Sequence, residues 1–274
     1  MKKYFIVSDT HSFYQALMKA LNDKGFSLND PSHILVLLGD AFDRGSETQV
    51  LAEFLLSLYY MNRLIFVKGN HESLLSRLLM QLARGNDPVD LAMSYHAING
   101  TWQTALDIAQ MKESEAFRFP QELVSRVMNS RVYRELLPSC LDYWEFGDKY
   151  ICTHGYIPCY EYGIKPYISY SYDENWRNAS PERWDSARWY NSAELAVEKG
   201  IYVPNRTLIV GHIHASYFHS RYGEEKCSEW GEDANFSPYV DPEQSIICID
   251  ACTAFSNKIN CIVIDEQGEL ILRR

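Results

Sequence analysis

Seven short apolar runs punctuate the chain, each bounded by polar residues or glycine. They are YFIVSD (4–9), ILVLLGD (34–40), LIFVKGN (64–70), YICTHG (150–155), TLIVGH (207–212), SIICID (245–250) and CIVID (261–265). Their length and β-branching favour strands over helix segments. Helical patterns lie between the first three, with Phe13, Leu17 and Leu21, then Val50, Phe54 and Leu58, spaced four apart. Strand–helix–strand–helix–strand predicts a parallel sheet with crossover helices, and so an α/β protein. At 274 residues and 46% hydrophobic content the chain can bury a sizeable core. With no repeat or clear linker, one domain spanning 1–274 is expected.

From Glu72 to about Pro138 no strand-like run occurs, which predicts a helical insertion over about 73–140, broken at GND (85–87) and near Phe119-Pro120. Residues 156–206 are rich in Tyr, Trp and Asn and predict an irregular insertion with short helices, including SAELAVEKG (192–200). Its aromatic stretch 162–176 suits either a substrate pocket or packing against the core. Residues 216–244 read as a hairpin or irregular surface loop, and EQG (266–268) as a turn.

The net charge of −10 argues against a broad nucleic-acid or membrane-binding surface. No stretch approaches the roughly 20 apolar residues of a membrane span, and MKKYFIVSDTHS has too short an apolar run for a signal peptide. The seven cysteines form no CxxC pair, and Cys152, Cys248 and Cys261 sit inside apolar runs. They read as reduced core thiols of a cytoplasmic protein.

Polar residues follow the runs in a consistent way. After YFIVS come Asp9 and His11. After LVLLG come Asp40, Asp43 and Arg44, and after FVKG come Asn70, His71 and Glu72. His154 follows YICT, and His212 and His214 follow LIVG. Ligands of open α/β sheets bind outside the carboxyl ends of parallel strands, where burying such acids is costly unless their charge is compensated. Asp, His and Asn suit Mn, Fe or Zn better than an all-oxygen Mg or Ca cage. Seven ligands (Asp9, His11, Asp40, Asn70, His154, His212 and His214) are too many for one tetrahedral ion and suit two ions sharing a carboxylate. Two ions about 3.5–4 Å apart are a known device for phosphate-ester hydrolysis, and Arg44 beside them would attract a phosphate. Taken singly, D-x-H is a common surface-turn pair and GNHE a loop entering a helix. Their joint placement after apolar runs makes the metal reading.

Asp9-x-His11, GDAFDRG (39–45), GNHE (69–72), THG (153–155) and GHIH (211–214) resemble the motifs of calcineurin-like metallophosphoesterases. GDxxDRG and GNHE resemble in particular the serine/threonine phosphoprotein phosphatases and their bacterial and phage relatives, which include diadenosine tetraphosphatases. The resemblance implies a four-layer α/β/β/α sandwich and a two-metal site. In it Asp9 and His11 bind the first ion, Asp40 bridges, and Asn70, His154 and His212 bind the second. Arg44 holds the phosphate with help from Asn70, and His71 protonates the leaving oxygen while Asp43 orients it. Manganese is the first ion to try in vitro, with iron or zinc as alternatives. The phosphoprotein phosphatases end in one metal-binding His. GHIH offers two, and His214 resembles the second His of the wider group. A second phosphate arginine is expected in ERWDSARWYN (182–191), where the Trp-rich context favours Arg188 over Arg183. His33, His96 and His219 lack motif context and read as structural, while Asp250 could support a ligand His. The resulting expectation is a phosphomonoesterase acting on phosphoserine or phosphothreonine in proteins. Hydrolysis of dinucleoside polyphosphates or another small phosphorylated molecule is the alternative, and a catalytically silent scaffold the third reading.

Overall fold

The apolar runs are continuous because the sheets they form are covered on both faces. The computed structural model describes residues 1–164, 167–189, 193–243 and 245–271, with the side chains of 162–169 outside the description. In chain order the strands are β1 (Lys3–Val7), β2 (His33–Leu38), β3 (Leu64–Val67), β4 (Trp144–Phe146), β5 (Tyr150–Cys152), β6 (Cys159–Ile164), β7 (Tyr167–Tyr172), β8 (Thr207–Val210), β9 (Tyr239–Val240), β10 (Ile246–Cys248), β11 (Ile262–Asp265) and β12 (Leu270–Ile271). The seven expected runs supply β1, β2, β3, β5, β8, β10 and β11. One sheet has the order β12-β11-β1-β2-β3 and the other β4-β5-β8-β10-β9. The β1–β2, β2–β3, β5–β8 and β8–β10 pairs are parallel. β11 joins β1 antiparallel, and β12, β4 and β9 are short antiparallel edges.

The helices are α1 (Tyr14–Asp23), α2 (Thr48–Tyr60), α3 (Asn70–Ala83), α4 (Pro88–Ala92), α5 (Tyr95–Ile98), α6 (Thr101–Ala109), α7 (Glu113–Arg118), α8 (Pro120–Asn129), α9 (Pro181–Trp189), α10 (Ala193–Lys199), α11 (Ala215–Tyr222) and α12 (Thr253–Ser256). Alternate strand residues serve opposite faces. Ile6, Val36, Leu38 and Val67 meet Tyr150, Cys152, Ile209 and Ile247 between the sheets. Their neighbours Phe5, Leu35, Leu37 and Phe66 pack outward on Leu17 and Leu21 of α1 and Leu51, Leu55 and Leu58 of α2. Ile151, Leu208, Val210 and Ile246 pack on α9, α10 and α11. The result is helix–sheet–sheet–helix in four layers. Each fully buried Leu or Ile contributes roughly 1.5–3 kcal/mol relative to exposure, so a Leu37→Ala change should cost about 2–5 kcal/mol.

Helices α3–α8 form a further unit with its own apolar cluster, including Leu78, Leu82, Trp102, Leu106 and Leu123. The chain breaks where GND and Phe119-Pro120 stand. Asp87 caps α4 by accepting from the Val89 and Asp90 backbone N–H groups, with Pro88 in the first turn.

Several local expectations change. Residues 156–206 contain a hairpin, β6–β7, in register Cys159↔Tyr172 through Ile164↔Tyr167; the alternating Tyr of YISYSY is a strand pattern. Of the aromatic stretch, Tyr170, Tyr172 and the fully buried Trp176 pack into the core outside the second sheet, so for them packing is the role. The segment 216–244 opens with α11 rather than a hairpin. Phe13 caps α1 instead of joining it, and Val50 faces solvent. All seven cysteines are free. No helix of the described residues is long and apolar enough to cross a membrane.

Candidate metal centre

The loops leaving β1, β2, β3, β5 and β8 meet at the carboxyl edge of the two sheets. Hydrogen bonds between them fix their course: Asp9 N donates to Gly39 O at 3.1 Å, His11 N to Asp40 O at 3.0 Å, Ser12 N to Ala41 O at 2.8 Å and Gly211 N to His154 O at 2.8 Å. The crossing is tight enough that Asp9, His11, Asp40, Asp43, Arg44 and His212 all adopt positive φ, between 47° and 77°. Such strain in non-glycine residues concentrates at functional sites. Gly39 shows why a side chain is excluded there: at φ +80° its Cβ would lie 2.6 Å from both Gly69 Cα and His154 Nδ1.

Two groups of ligand atoms share Asp40. His11, Asp40 and His71 form one, Asp40, His154 and His212 the other, with the atoms of each within 4.8 Å of one another. Backbone carbonyls aim the imidazoles. His11 Nδ1 bonds Phe42 O at 3.0 Å, which directs Nε2 to Asp40 Oδ2 at 3.9 Å and Asp9 Oδ1 at 4.0 Å. His154 Nδ1 bonds Leu38 O at 2.7 Å, which directs Nε2 to Asn70 Oδ1 at 2.8 Å and Asp40 Oδ1 at 3.4 Å. With Nδ1–H donated, each Nε2 carries a lone pair that faces only other acceptors, the arrangement a cation satisfies. The His212 ring bonds the Trp189 backbone, and Asp9 Oδ2 accepts from His212 N at 3.0 Å.

The electrostatics point the same way. Asp9, Asp40, Asp43, Glu72 and Asp250 are all buried, while Arg44 is exposed. Burial, then Asp250 and Asp40, raises Asp9 well above the usual carboxylate range. Burial pushes Asp250 up to about 7, and burial with Asp40 pushes Glu72 to about 7. Burial also opposes the charge of Asp40, but His154, His71 and His11 hold it below its ordinary value. Burial brings His11 and His212 down to about 3 and lowers His154, so these imidazoles are neutral and free to coordinate. A surplus of buried carboxylate charge among neutral imidazoles and an amide oxygen fits divalent or trivalent metal ions.

His71 is different. Burial works against its charged form, but Asp40 and Asp43 outweigh that and raise its pKa. Its Nδ1 bonds Asp43 Oδ2 at 2.7 Å, and its Nε2 stands 3.4 Å from Arg44 Nη2 and 3.7 Å from Asp40 Oδ2. Glu72 ties the two loops together, accepting from Asp40 N at 3.0 Å, Ala41 N at 2.9 Å and Gly69 N at 2.8 Å. Sequence reasoning gave Glu72 no role, although its place three residues after Gly69, at the start of α3, is a capping signal. It also gave none to Thr101 and Thr104 of α6, which bond Asp43.

Two expected residues stand apart. Asp9 lies outside both groups but keeps its Oδ1 4.0 Å from His11 Nε2, whereas His214 is outside both and engaged elsewhere. Its Nε2 faces Glu229 at 3.5 Å, its Nδ1 bonds Ser216 Oγ at 3.2 Å, and its ring lies 4.6 Å from that of Trp230. Arg188 borders the site, since its carbonyl would be 3.0 Å from a Cβ on Gly155. Its guanidinium pairs with Asp142 and donates to Lys68 O at 3.1 Å. Arg183 turns to Asp173 at 2.7 Å. Asp250 accepts from Cys252 N at 2.7 Å and acts on Asp9 through its charge. His33 faces Asp30 at 3.3 Å, His96 bonds Gln81 at 2.8 Å and His219 bonds Ser237 O at 3.1 Å, all as local packing groups.

A family model for calcineurin-like phosphoesterases matches residues 2–237. A bis(5'-nucleosyl)-tetraphosphatase (asymmetrical), PrpE, of Bacillus subtilis strain 168 is 24% identical over 206 residues, 71% of this chain and 77% of that protein. A cold-active protein-tyrosine phosphatase of a psychrophilic Shewanella superposes with TM-score 0.53 at 15% identity, over 99% of this chain and 77% of the other. A Saccharomyces cerevisiae protein serine/threonine phosphatase with similarity to human PP5 superposes with TM-score 0.50 at 13% identity, over 96% and 72%. These structural likenesses concern the fold. The family match across most of the sequence decides membership: the chain belongs to the calcineurin-like phosphoesterase family.

Proposed function

We propose that the protein hydrolyses phosphomonoesters with alkoxide leaving groups, as in phosphoserine and phosphothreonine, using two metal ions. The observation that carries this reading is the 2.7 Å bond between His71 and Asp43 beside Asp40. An alkoxide is a poor leaving group and needs a proton; a buried imidazole whose pKa is raised by two carboxylates supplies one. Asp9, His11 and Asp40 would hold one ion, and Asp40, Asn70, His154 and His212 the other. When bound, the ions would neutralise the buried carboxylates, polarise the phosphate and lower the pKa of the attacking water. Arg44 would hold a phosphate oxygen. As the water oxygen bonds to phosphorus and the ester bond breaks, His71 Nε2–H passes its proton to the departing oxygen. Asp43 keeps the ring in line. His214, engaged with Glu229 and Trp230, serves this reading at the rim rather than as a ligand. Arg188 would join the phosphate only by exchanging Asp142 for it.

A second reading, hydrolysis of dinucleoside polyphosphates, is favoured by a specific feature. Trp230 and Phe255 are about half exposed, at 47% and 58%, with ring centroids 5.3 Å apart, and Trp230 lies against His214. Such a pair suits a nucleobase, and the PrpE likeness points the same way. The test is a substrate panel with Mn²⁺: phosphopeptides, dinucleoside polyphosphates, cyclic nucleotides and p-nitrophenyl phosphate. Fastest turnover of phosphopeptides supports the first reading, and of dinucleoside polyphosphates the second. Metal binding without turnover of any of them refutes both.

A further inference from the structure

The Asp43 carboxylate is buried, and its Oδ2 receives two donors. One is His71 Nδ1 at 2.7 Å; the other is Thr101 Oγ1 at 2.8 Å, from the first turn of α6. The Asp43 N–H in turn donates to Thr104 Oγ1 at 3.0 Å. Thr101 is fully buried and Thr104 nearly so. Gly100, at φ +86°, lets α6 approach so closely that a Cβ there would sit 2.2 Å from Arg44 N. Asp43 and Arg44 themselves hold positive φ, 77° and 63°, a conformation that needs external support. The helical unit α3–α8 therefore grips the loop after β2 at the two residues that face His71.

We propose that Thr101 is a positioning residue for proton donation by His71, acting through Asp43. The proposal rests on the general-acid reading given above. A carboxylate with one donor can rotate about χ2 and present either oxygen. A second donor on Oδ2, fixed at a helix start, leaves one orientation, and in that orientation Oδ2 faces His71. Imidazole aim matters because a proton donor misplaced by about 1 Å loses on the order of 10²-fold in rate. Thr101 thus couples the helical unit, 58 residues further along the chain, to the donor pair.

The test compares Thr101→Val, which keeps shape and removes the donor, with Thr101→Ser, which keeps the donor. For the Mn²⁺-loaded enzyme, Thr101→Val should lower kcat on a phosphoserine peptide by about 10- to 100-fold with KM little changed. Its kcat on p-nitrophenyl phosphate, whose leaving group needs less help, should fall less, and Thr101→Ser should restore both. In metal-free protein, the proton NMR resonance of His71 Nδ1–H, assigned by its loss in His71→Asn, should shift or broaden in Thr101→Val and return in Thr101→Ser. Equal losses on both substrates, failure of serine to restore, or an unmoved resonance would overturn the proposal. If wild-type protein turns over no phosphate ester, the general-acid reading falls. The resonance then decides separately whether Thr101 sets the His71–Asp43 bond.

Discussion

The buried carboxylates make a quantitative prediction about the metal-free protein. Burial with Asp40 raises Glu72 from 4.5 to about 7, and burial raises Asp250 from 3.8 to about 7. Both are acids with raised folded-state pKa. Between the unfolded and folded values the native state keeps a proton that the unfolded state has released. Their stabilisation is therefore complete below about pH 4 and is lost as pH rises through 7. One pKa unit is worth about 1.4 kcal/mol, so each group withdraws about 3–4 kcal/mol across that window. This is a large part of a typical folding free energy of roughly 5–15 kcal/mol. The two are not independent, since both feel Asp40, and other titrating groups tilt the same curve. The clean measurement is a difference between variants. Metal-free wild type and Glu72→Gln are unfolded with urea at intervals from pH 5 to 8. Gln is uncharged, but its amide NH2 must face one of the backbone N–H groups that Glu72 accepts, an offset of about 1–3 kcal/mol against the variant at every pH. On top of that constant offset, the wild-type curve should fall by about 2–3 kcal/mol more than the variant's between pH 5 and pH 8. Saturating Mn²⁺ should reduce the wild-type decline, because cations beside Asp40 compensate the same charges. Parallel curves for the two metal-free proteins would refute the claim that Glu72 is held at an energetic cost. A wild-type decline untouched by metal would refute its link to the centre.

Replacing His71 by Asn should leave metal content intact and lower turnover of alkyl phosphates by on the order of 10²–10⁴-fold, with a smaller loss on aryl phosphates; equal losses would remove the acid role. Arg44→Ala should raise KM and weaken inhibition by inorganic phosphate, and an unchanged inhibition constant would count against phosphate contact. Asp142→Ala releases the Arg188 guanidinium from its ion pair and should tighten phosphate inhibition by about tenfold, the scale of one charge-assisted hydrogen bond. No change there, with lowered stability, would make Arg188 purely a packing residue. Trp230→Ala should raise KM for dinucleoside polyphosphates by roughly 5- to 100-fold, the range for losing one stacked base, and leave phosphoserine peptides unaffected. Equal KM values for variant and wild type would leave the aromatic pair without a ligand.

What was legible in the sequence is what a local pattern determines. The runs at β1, β2 and β3 are apolar on both faces because helices cover one face and the second sheet the other. Continuous Ile, Leu and Val therefore identified them, and the residue after each run located the site. The two-residue strands β9 and β12 are made by pairing with β10 and β11, so nothing in YV or LI alone announces them. Side-chain direction was equally hidden. GHIH does not reveal that His214 rests on Trp230, nor ERWDSARWYN that Arg188 engages Asp142, because each choice depends on a partner from another segment. Thr101 carries no motif at all. Its role exists only because α6 docks on the loop after β2.

The same contrast explains how the centre is built. A non-glycine residue at positive φ costs roughly 1–2 kcal/mol, and seven such residues, Ser12 among them, crowd the loops after β1, β2 and β8. Hydrogen bonds within the chain hold them in that shape. Asp9 and His11 are stitched to Gly39 and Asp40, and Gly211 to His154, by backbone bonds of 2.8–3.1 Å. Glu72 draws Asp40, Ala41 and Gly69 around one carboxylate. His11 and His154 are aimed by carbonyls of the loop and strand that precede Asp43 and Gly39. Burial of their charge first, and repulsion among Asp9, Asp40 and Asp250 second, oppose this assembly and raise the pKa values of Asp9 and Asp250. The backbone supplies the geometry of the proposed centre, and bound cations would add the compensating charge.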